Sequence, residues 1–190
     1  MVGYGSMSRT LKTVAMDSAQ LVSHLASYAA YHRDRRNIAT HFLGIPMILL
    51  AAQGLLALIP SPLEALPAPA MLATTLVCAF WYLRLDLRLG SAMVLQLTLG
   101  ALLVLDRMGA PGVRLGREAL WVFIAGWVIQ FLGHLFEGRK PAFLDDLRGL
   151  LIGPLFVMAE LGFLLGLRTP LRKAIEDRAG PLRAPRSAAA

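Results

Sequence analysis

The residues best suited to chemistry in this sequence are histidines that stand beside polar residues at the ends of apolar stretches. His32, Asn37 and His41 lie within ten residues of one another, directly before the first long apolar stretch. Imidazole nitrogens are suitable ligands for Fe(II), zinc and similar borderline metals. His32 and His41 are nine residues apart, so one straight helix would point them to opposite sides. A metal bound by both requires a bend in the chain, which we expect at Asn37 and the charged 33–36 run.

A second polar group occurs near the end of the fourth apolar stretch. Gln130, His134 and Glu137 have the spacing i, i+4, i+7, which places them on one face of a helix. Polar side chains at membrane depth are costly, and they usually face the interior of a helical bundle and carry function. The alternative interpretation is that His134 and Glu137 lie close enough to the membrane surface to reach water.

Two further ionisable residues need a separate interpretation. His24 lies eight residues before His32, and we expect it to have a packing or solvated role rather than to bind a metal. Glu160 lies inside the fifth apolar stretch, where a carboxylate must be protonated, paired or metal-bound. Pairing with an arginine, or with the second nitrogen of a ligand histidine, is the plainest role for Glu160.

The composition indicates a membrane protein. Of the 190 residues, 56% are hydrophobic and 16% are charged, and the mean hydropathy is +0.59. Soluble domains have about 25% charged residues, and a chain of this size cannot bury so much apolar surface in its own core. The single cysteine, Cys78, excludes an intrachain disulfide. The basic residues behind the net charge of +7 flank apolar stretches and form no nucleic-acid motif, so we expect lipid headgroups rather than nucleic acid as their partners.

Five apolar stretches define the expected fold. The first, fourth and fifth are long enough to cross a membrane, and the second and third form a helical hairpin that turns at residues 84–88. An amphipathic helix at residues 17–40 precedes them at the membrane surface. We therefore predict an all-α, polytopic membrane bundle of four to five apolar helices preceded by this interfacial helix. The stretches are 42–59, 69–83, 89–105, 119–136 and 150–167.

The domain organisation and the orientation follow from this pattern. We predict an N-terminal extension at 1–16, one membrane domain at 17–167 and a basic, mobile tail at 168–190. The N-terminal segment has five Lys or Arg residues and the first link between stretches has none. This asymmetry predicts that the N-terminus, together with His32, His41 and His134, lies at the cytoplasmic face. Five full crossings would leave the tail, with its six basic residues, outside. One stretch is therefore expected to be re-entrant or interfacial.

Three groups of residues resemble those of a known family, the MPO-type membrane dioxygenases that act on 2-hydroxy fatty acids. The fungal member of that family is an endoplasmic reticulum protein that acts in converting phytosphingosine to odd-numbered fatty acids. The resemblance covers roughly residues 20–165. The groups are Tyr31-His32, Asn37 and His41 with Gly44-Ile45-Pro46; Trp127, Gln130, Gly133-His134, Phe136-Glu137-Gly138 and Pro141-Ala142; and Gly153-Pro154-Leu155-Phe156 with Glu160.

The resemblance implies an Fe(II)-dependent reaction in which a 2-hydroxy fatty acid and O2 give a fatty acid one carbon shorter. The histidines shared within the family match His32, His41 and His134, which are the predicted metal ligands. We add Glu137 as a further catalytic residue, and we expect Asn37, Gln130 and Glu160 to support the site. The expected location is the inner membrane in a bacterium or the endoplasmic reticulum in a eukaryote, with the site facing the cytoplasm and the acyl tail among the helices.

Two other functions stay open on the sequence. A zinc-dependent membrane hydrolase would use Glu137 as its base, although neither a Gly-x-Ser-x-Gly nor a His-Glu-x-x-His motif occurs. A small transporter or proton relay would need polar residues at several depths across the membrane. The grouping of histidines at one face disfavours the relay. Three arginines, at positions 33, 35 and 36, could pair with a substrate carboxylate. We expect instead that they face lipid headgroups.

Overall fold

The computed structural model describes residues 19–60, 66–110 and 114–183, and this part of the chain is helical between short connections. It contains no strand, which confirms the predicted all-α class, and only an isolated bridge links Asp34 to Arg183. The predicted extension at 1–16 lies outside the described residues. The helices are α1 (19–29), α2 (Arg35–Leu56), α3 (Pro69–Leu85), α4 (Leu87–Met108), α5 (Leu115–Glu137), α6 (Gly149–Leu164) and α7 (Thr169–Ala179), with a short 3-10 turn at Ala142–Leu144.

Apolar surface on the outside of the bundle fits a lipid environment. The helices α2, α4 and α5 are long and apolar enough to cross a membrane, and α3 is a shorter apolar helix of 17 residues. Large side chains on these helices are exposed, including Leu76 at 70% and Leu135 at 75%. Contiguous exposed apolar surface of this kind marks a surface that meets lipid or a partner. The polytopic membrane bundle predicted from the sequence is confirmed in this form.

Glycines allow α2 and α5 to pack closely along their length. A Cβ atom added at Gly44 would lie 2.9 Å from the backbone oxygen of Gly126, and one added at Gly126 would lie 2.8 Å from Cγ1 of Ile48. Small residues at such contacts are typical of membrane helices, because dispersion between closely packed backbones replaces the hydrophobic effect there. This close packing carries the two histidines of α2 and α5 toward each other.

The Gly126→Ala variant is expected to lose roughly 1–3 kcal/mol of stability, because the added methyl group would lie 2.8 Å from Cγ1 of Ile48 and 3.1 Å from the backbone oxygen of Gly44. The measurement is the melting temperature of detergent-purified protein. The control is Gly162→Ala on α6, where an added Cβ meets nothing within 4 Å, so its melting temperature should equal or exceed that of the wild type. Equal melting temperatures for Gly126→Ala and the wild type would contradict this account of the α2–α5 contact.

The predicted hairpin between the second and third stretches is present, with Asp86 as its single connecting residue. The Asp86 carboxylate accepts a hydrogen bond from the backbone N–H of Leu89 at 2.8 Å and so caps the start of α4. Both oxygens of the same carboxylate bind the Arg168 guanidinium, at 3.1 and 2.8 Å. This ion pair ties the chain after α6 to the end of the bundle where the hairpin turns.

The fifth apolar stretch does not form one straight span. The Tyr82 hydroxyl, one turn before Asp86, donates to the carbonyl of Leu151 near the start of α6, while Arg168 reaches Asp86 after its end. Both ends of α6 are thereby held at the same end of the bundle, and α7 then turns by 120°. Helix α6 therefore lies across this end of the bundle, which accounts for the odd number of apolar stretches. The chain after α6 accordingly lies on the side of the hairpin turn.

The segment predicted to be a mobile tail contains a helix in its described part. Residues 169–179 form α7, whose Leu171 and Ile175 are buried against the bundle. Residues 180–183, which we name the C-terminal strap, follow α7 and lie against the 30–34 loop. The backbone N–H of Arg183 donates to the carbonyl of Arg33 at 2.7 Å, and the Arg33 guanidinium donates to the carbonyl of Gly180 at 3.0 Å. Residues 184–190 lie outside the described part.

The interfacial helix predicted at 17–40 is divided in two. The first part, α1, buries Leu21, Leu25 and Ala29 on one face, as its helical spacing indicates. The 30–34 loop then interrupts the helix, and α2 begins at Arg35 with Asp34 as its N-cap, accepting from the backbone N–H of Arg36 at 2.8 Å. The predicted interfacial segment therefore also supplies the first two turns of a spanning-length helix.

Candidate metal centre

Three histidines from three parts of the chain meet at one buried point. His32 lies in the 30–34 loop, His41 two turns into α2 and His134 one turn before the end of α5. Each offers a ring nitrogen within 4.8 Å of those of the other two. Their ring centroids are 4.6 to 5.1 Å apart, and each pair of rings meets edge to face. We name this cluster the histidine triad.

Hydrogen bonds that the rings donate to backbone carbonyls orient two histidines of the triad. Nδ1 of His32 lies 2.8 Å from the carbonyl of Tyr28, and Nδ1 of His41 lies 2.8 Å from the carbonyl of Asn37. A carbonyl only accepts, so each Nδ1 carries the proton and each Nε2 keeps a free lone pair. This is the way in which metal-binding proteins fix the tautomer of a ligand histidine.

The donor atoms left over fit a metal ion. Nε2 of His32, Nε2 of His41 and Nδ1 of His134 are buried and have no hydrogen-bond partner among the described residues. Buried polar atoms are nearly always partnered, so three unpartnered nitrogens converging on one point require an explanation. Burial lowers the pKa of His32 well below its ordinary value, and the neighbouring His41 lowers it further. The His32 imidazole is therefore neutral, as a metal ligand must be.

The bend required between His32 and His41 is present, but it lies earlier than expected. The chain turns in the 30–34 loop, so the charged residues Arg33 and Asp34 are at the bend as predicted. Asn37 is not at the bend, because it is already the third residue of α2. The reason is the Asp34 cap, which starts the helix three residues before Asn37.

Glu137 holds the 30–34 loop and the start of α2. Its Oε2 accepts from the backbone N–H groups of Arg33 and Asp34, at 3.0 and 2.7 Å, and from Nδ2 of Asn37 at 3.2 Å. Its Oε1 pairs with the guanidinium of Arg183 in the C-terminal strap. With both oxygens engaged, the carboxylate positions the loop that carries His32. This is a different arrangement from a free base beside the metal.

Asn37 connects Glu137 to the histidine triad. Its Nδ2 donates to Glu137, while its backbone carbonyl accepts from Nδ1 of His41. Gly133, directly before His134, makes room for this residue, because an added Cβ would lie 2.5 Å from Oδ1 of Asn37. The Asn37 side chain therefore occupies the space between α2 and α5 beside the histidine triad.

Arg33, expected at the membrane surface, lies beside Glu160 of the fifth apolar stretch. Arg33 is 5% exposed, so the expectation that it faces lipid headgroups is wrong for this residue. Its Nε donates to the carbonyls of Ala29 and His32, at 2.7 and 3.0 Å, and its Nη2 lies 3.9 Å from Oε1 of Glu160. Glu160 thus pairs with an arginine, as its position in an apolar stretch predicts, and the pair fixes the loop from the α6 side.

The remaining predicted residues lie close to the triad or apart from it. Gln130 is buried one helical turn before His134, and its Oε1 has no hydrogen-bond partner among the described residues. His24 is half-buried on α1 and is not among the three clustered histidines.

Two residues at the site were not identified from the sequence. The ring of Tyr28 stacks on His32, with centroids 4.1 Å apart and an angle of 7° between the planes. The i, i+4 spacing of Tyr28 and His32 on a helical segment could have indicated this contact. Arg183 reaches Glu137 across 46 residues of chain, and no local pattern indicates that pairing.

Comparisons with known proteins show which family of sequences the chain resembles. The model of a protein family described as "2-hydroxy-palmitic acid dioxygenase Mpo1-like" matches residues 18–165, a range that contains the whole histidine triad. The chain is 31% identical over 159 residues to 2-hydroxy-palmitic acid dioxygenase MPO1 of Saccharomyces cerevisiae, covering 82% of this chain and 87% of the yeast protein. No solved structure matches the chain.

Proposed function

The chain belongs to the Mpo1-like family of 2-hydroxy-palmitic acid dioxygenases, and from this membership we propose that it is an Fe(II)-dependent dioxygenase that shortens long-chain 2-hydroxy fatty acids by one carbon. In the balanced reaction the acid and O2 give the shorter acid, CO2 and water. The C1–C2 bond breaks, C2 becomes the new carboxyl carbon, and the four electrons that leave the substrate reduce O2.

The observation that carries this proposal is the convergence of three unpartnered, buried ring nitrogens in the histidine triad. Three neutral nitrogen donors suit Fe(II) and leave coordination positions open for other ligands. Fe(II) held by His32, His41 and His134 would activate O2 for the oxidation of the 2-hydroxy acid. The protein contributes a dry pocket, since all three imidazoles are at most 8% exposed.

The chain's own residues keep this pocket in one arrangement. The Tyr28 and Asn37 carbonyls hold the protons of His32 and His41 on Nδ1, so that both Nε2 atoms stay available. Glu137 and Arg33 fix the 30–34 loop from two sides. A pocket that is preorganised in this way needs little rearrangement when substrate arrives.

The zinc hydrolase alternative is less well supported than the dioxygenase. It requires Glu137 as a general base, but both oxygens of Glu137 already bind the loop, Asn37 and Arg183. The proton-relay alternative is also disfavoured. Among the described residues, the buried polar and charged side chains gather at one end of the bundle except Gln53, which pairs with Thr75 and the carbonyl of Leu97.

The direct test is turnover of 2-hydroxypalmitate by detergent-purified protein loaded with Fe(II). In air we expect pentadecanoate by mass spectrometry, with one O2 consumed for each acid converted. Palmitate should give no shortened product, since it has no 2-hydroxyl at which C2 can be oxidised. Equal turnover under argon, or with zinc in place of iron, would favour the hydrolase. A fully iron-loaded protein that converts no 2-hydroxy acid would refute the proposed substrate.

We also propose that the histidine triad lies at the cytoplasmic face of the membrane. Thirteen of the sixteen Lys and Arg residues in the described part of the chain belong to segments on the side of the triad, namely 33–36, 84–88, 139–148 and 168–183. Positive residues are enriched on the cytoplasmic side. In a Cys78→Ala background, Arg139→Cys should react with a maleimide only from the cytoplasmic side and Ile59→Cys only from the other. The reverse pattern would overturn this orientation.

A further inference from the structure

Two cavities share the lining residues Tyr28 and Gly149, and the ring of Tyr28 also stacks on His32 of the histidine triad. The first, which we name the vestibule, has a volume of about 330 Å³ and opens between α1 and the 142–149 connection. Its lining includes the polar residues Ser27, Asp145 and Arg148. The second, which we name the slot, has a volume of about 50 Å³ and lies between α2, α5 and α6.

Most of the residues that line the slot are apolar. Ile45, Ile48 and Leu49 of α2 lie one to two turns beyond His41, and Gln130 of α5 lies one turn before His134. A water needs roughly 10–15 Å³ of such volume, so the slot can hold about four waters or the few atoms of a small head group. It is too small for a long acyl chain, which has to leave the slot toward the lipid.

Gln130 is the polar group of the slot. Its side chain is 92% buried, and Oε1 has no hydrogen-bond partner among the described residues. A buried amide oxygen without a partner loses its interaction with water and gains nothing in return. A ligand whose hydroxyl donates to this oxygen would remove that cost, whereas the same ligand without the hydroxyl would leave it in place.

Tyr28 is the polar group at the junction of the two cavities. Its ring stacks on His32, and its hydroxyl lies at Gly153, 2.8 Å from the position that an added Cβ would take. The absence of a side chain at Gly153 thus leaves the hydroxyl its space. A tyrosine hydroxyl can donate a hydrogen bond to an anionic oxygen.

We propose that Gln130 and Tyr28 are the substrate-positioning residues of the slot, with Oε1 of Gln130 accepting from the 2-hydroxyl and the Tyr28 hydroxyl donating to the carboxylate. This inference rests on the proposed function. It assigns the choice of a 2-hydroxylated over an unsubstituted acid to Gln130. A site built to bind a hydroxyl rejects the analogue that lacks it, because the buried partner is left unpaired.

The experiment measures binding of 2-hydroxypalmitate and of palmitate to the full-length, Fe(II)-loaded protein under argon, where no turnover occurs. In Gln130→Met the preference for the hydroxylated acid should fall roughly three- to tenfold, the effect of one hydrogen bond. In Tyr28→Phe the affinity for both acids should fall by that factor, and the preference should not change.

Two controls separate positioning from a general loss of structure. Gln53→Met removes a second buried glutamine, at the other end of the bundle from the triad, so it should lower the melting temperature and leave the preference unchanged. Iron content and melting temperature should remain those of the wild type in both Gln130→Met and Tyr28→Phe, and a fall in either value for Tyr28→Phe would overturn the assignment to Tyr28. A folding defect alone would lower the affinity for both acids together.

The outcomes divide cleanly between this inference and the proposed function. If the wild type converts and prefers the 2-hydroxy acid while Gln130→Met keeps that preference, the assignment to Gln130 is overturned and the proposed function stands. If the wild type converts no 2-hydroxy acid and binds neither acid, the proposed function fails and this inference fails with it. A lost preference in Gln130→Met, with iron content intact, supports both.

Discussion

Replacing any one of His32, His41 or His134 with alanine is expected to lower the affinity for iron by more than about 100-fold and to abolish turnover. Removing a residue that only supports a ligand costs roughly 10–100-fold in metal affinity, so the loss of one donor in three should cost more. The three nitrogens are buried and lack other partners among the described residues, so no nearby group can substitute. Metal content per protein, measured on purified variants, is the direct readout.

His24→Ala is the matched control for these variants. It removes a fourth imidazole from the same end of the chain, but one that is half-buried and outside the cluster. Its iron content should equal that of the wild type. Full iron content in any of the three triad variants would show that the metal is bound elsewhere.

Replacing Glu137 with alanine is expected to destabilise the protein by about 3–5 kcal/mol and to lower iron affinity by roughly 10–100-fold. The variant leaves the N–H groups of Arg33 and Asp34 and the amide of Asn37 without their acceptor, next to the unpaired charge of Arg183. The 30–34 loop that carries His32 would then lose its main attachment to α5. Thermal unfolding and metal titration measure the two effects.

Asp145→Asn is a suitable control for Glu137→Ala, because Asp145 is an exposed carboxylate at the same end of the bundle that binds the Tyr31 hydroxyl at 2.8 Å. An exposed pair of this kind contributes less than about 1 kcal/mol. If Glu137→Ala kept its iron and its melting temperature but lost all activity, Glu137 would be acting directly on the substrate. That result would favour the hydrolase alternative over a positioning role.

The parts of the site that could be predicted from the sequence depend on local spacing. The face shared by Gln130, His134 and Glu137 follows from helical periodicity, and the need for a bend follows from the nine residues between His32 and His41. Polar residues in apolar stretches are conspicuous because burying them is costly. The sequence therefore indicates which residues lie together, but not the contacts that bring them together.

The parts that could not be predicted depend on contacts between distant segments. Glu137 has the spacing of a catalytic residue, but whether its carboxylate is free depends on the loop at 30–34 and on Arg183. Arg33 has the flanking position of a headgroup-facing arginine, yet Glu160 and the C-terminal strap enclose it. Likewise, the hydrophobicity of the fifth stretch does not reveal that Tyr82 holds the start of α6, and Asp86 the chain after its end, at one end of the bundle.

The C-terminal strap also bears on the order in which the protein is made. Arg183, near the end of the chain, bonds both the backbone of the loop that carries His32 and the carboxylate of Glu137. Chains are synthesised from the N-terminus, and earlier segments fold first. All three histidines are thus translated before Arg183, which holds the His32 loop. The histidine triad reaches its final form only after Arg183 has been translated, so translation products that stop before Arg183 would carry the histidines without a fully assembled site.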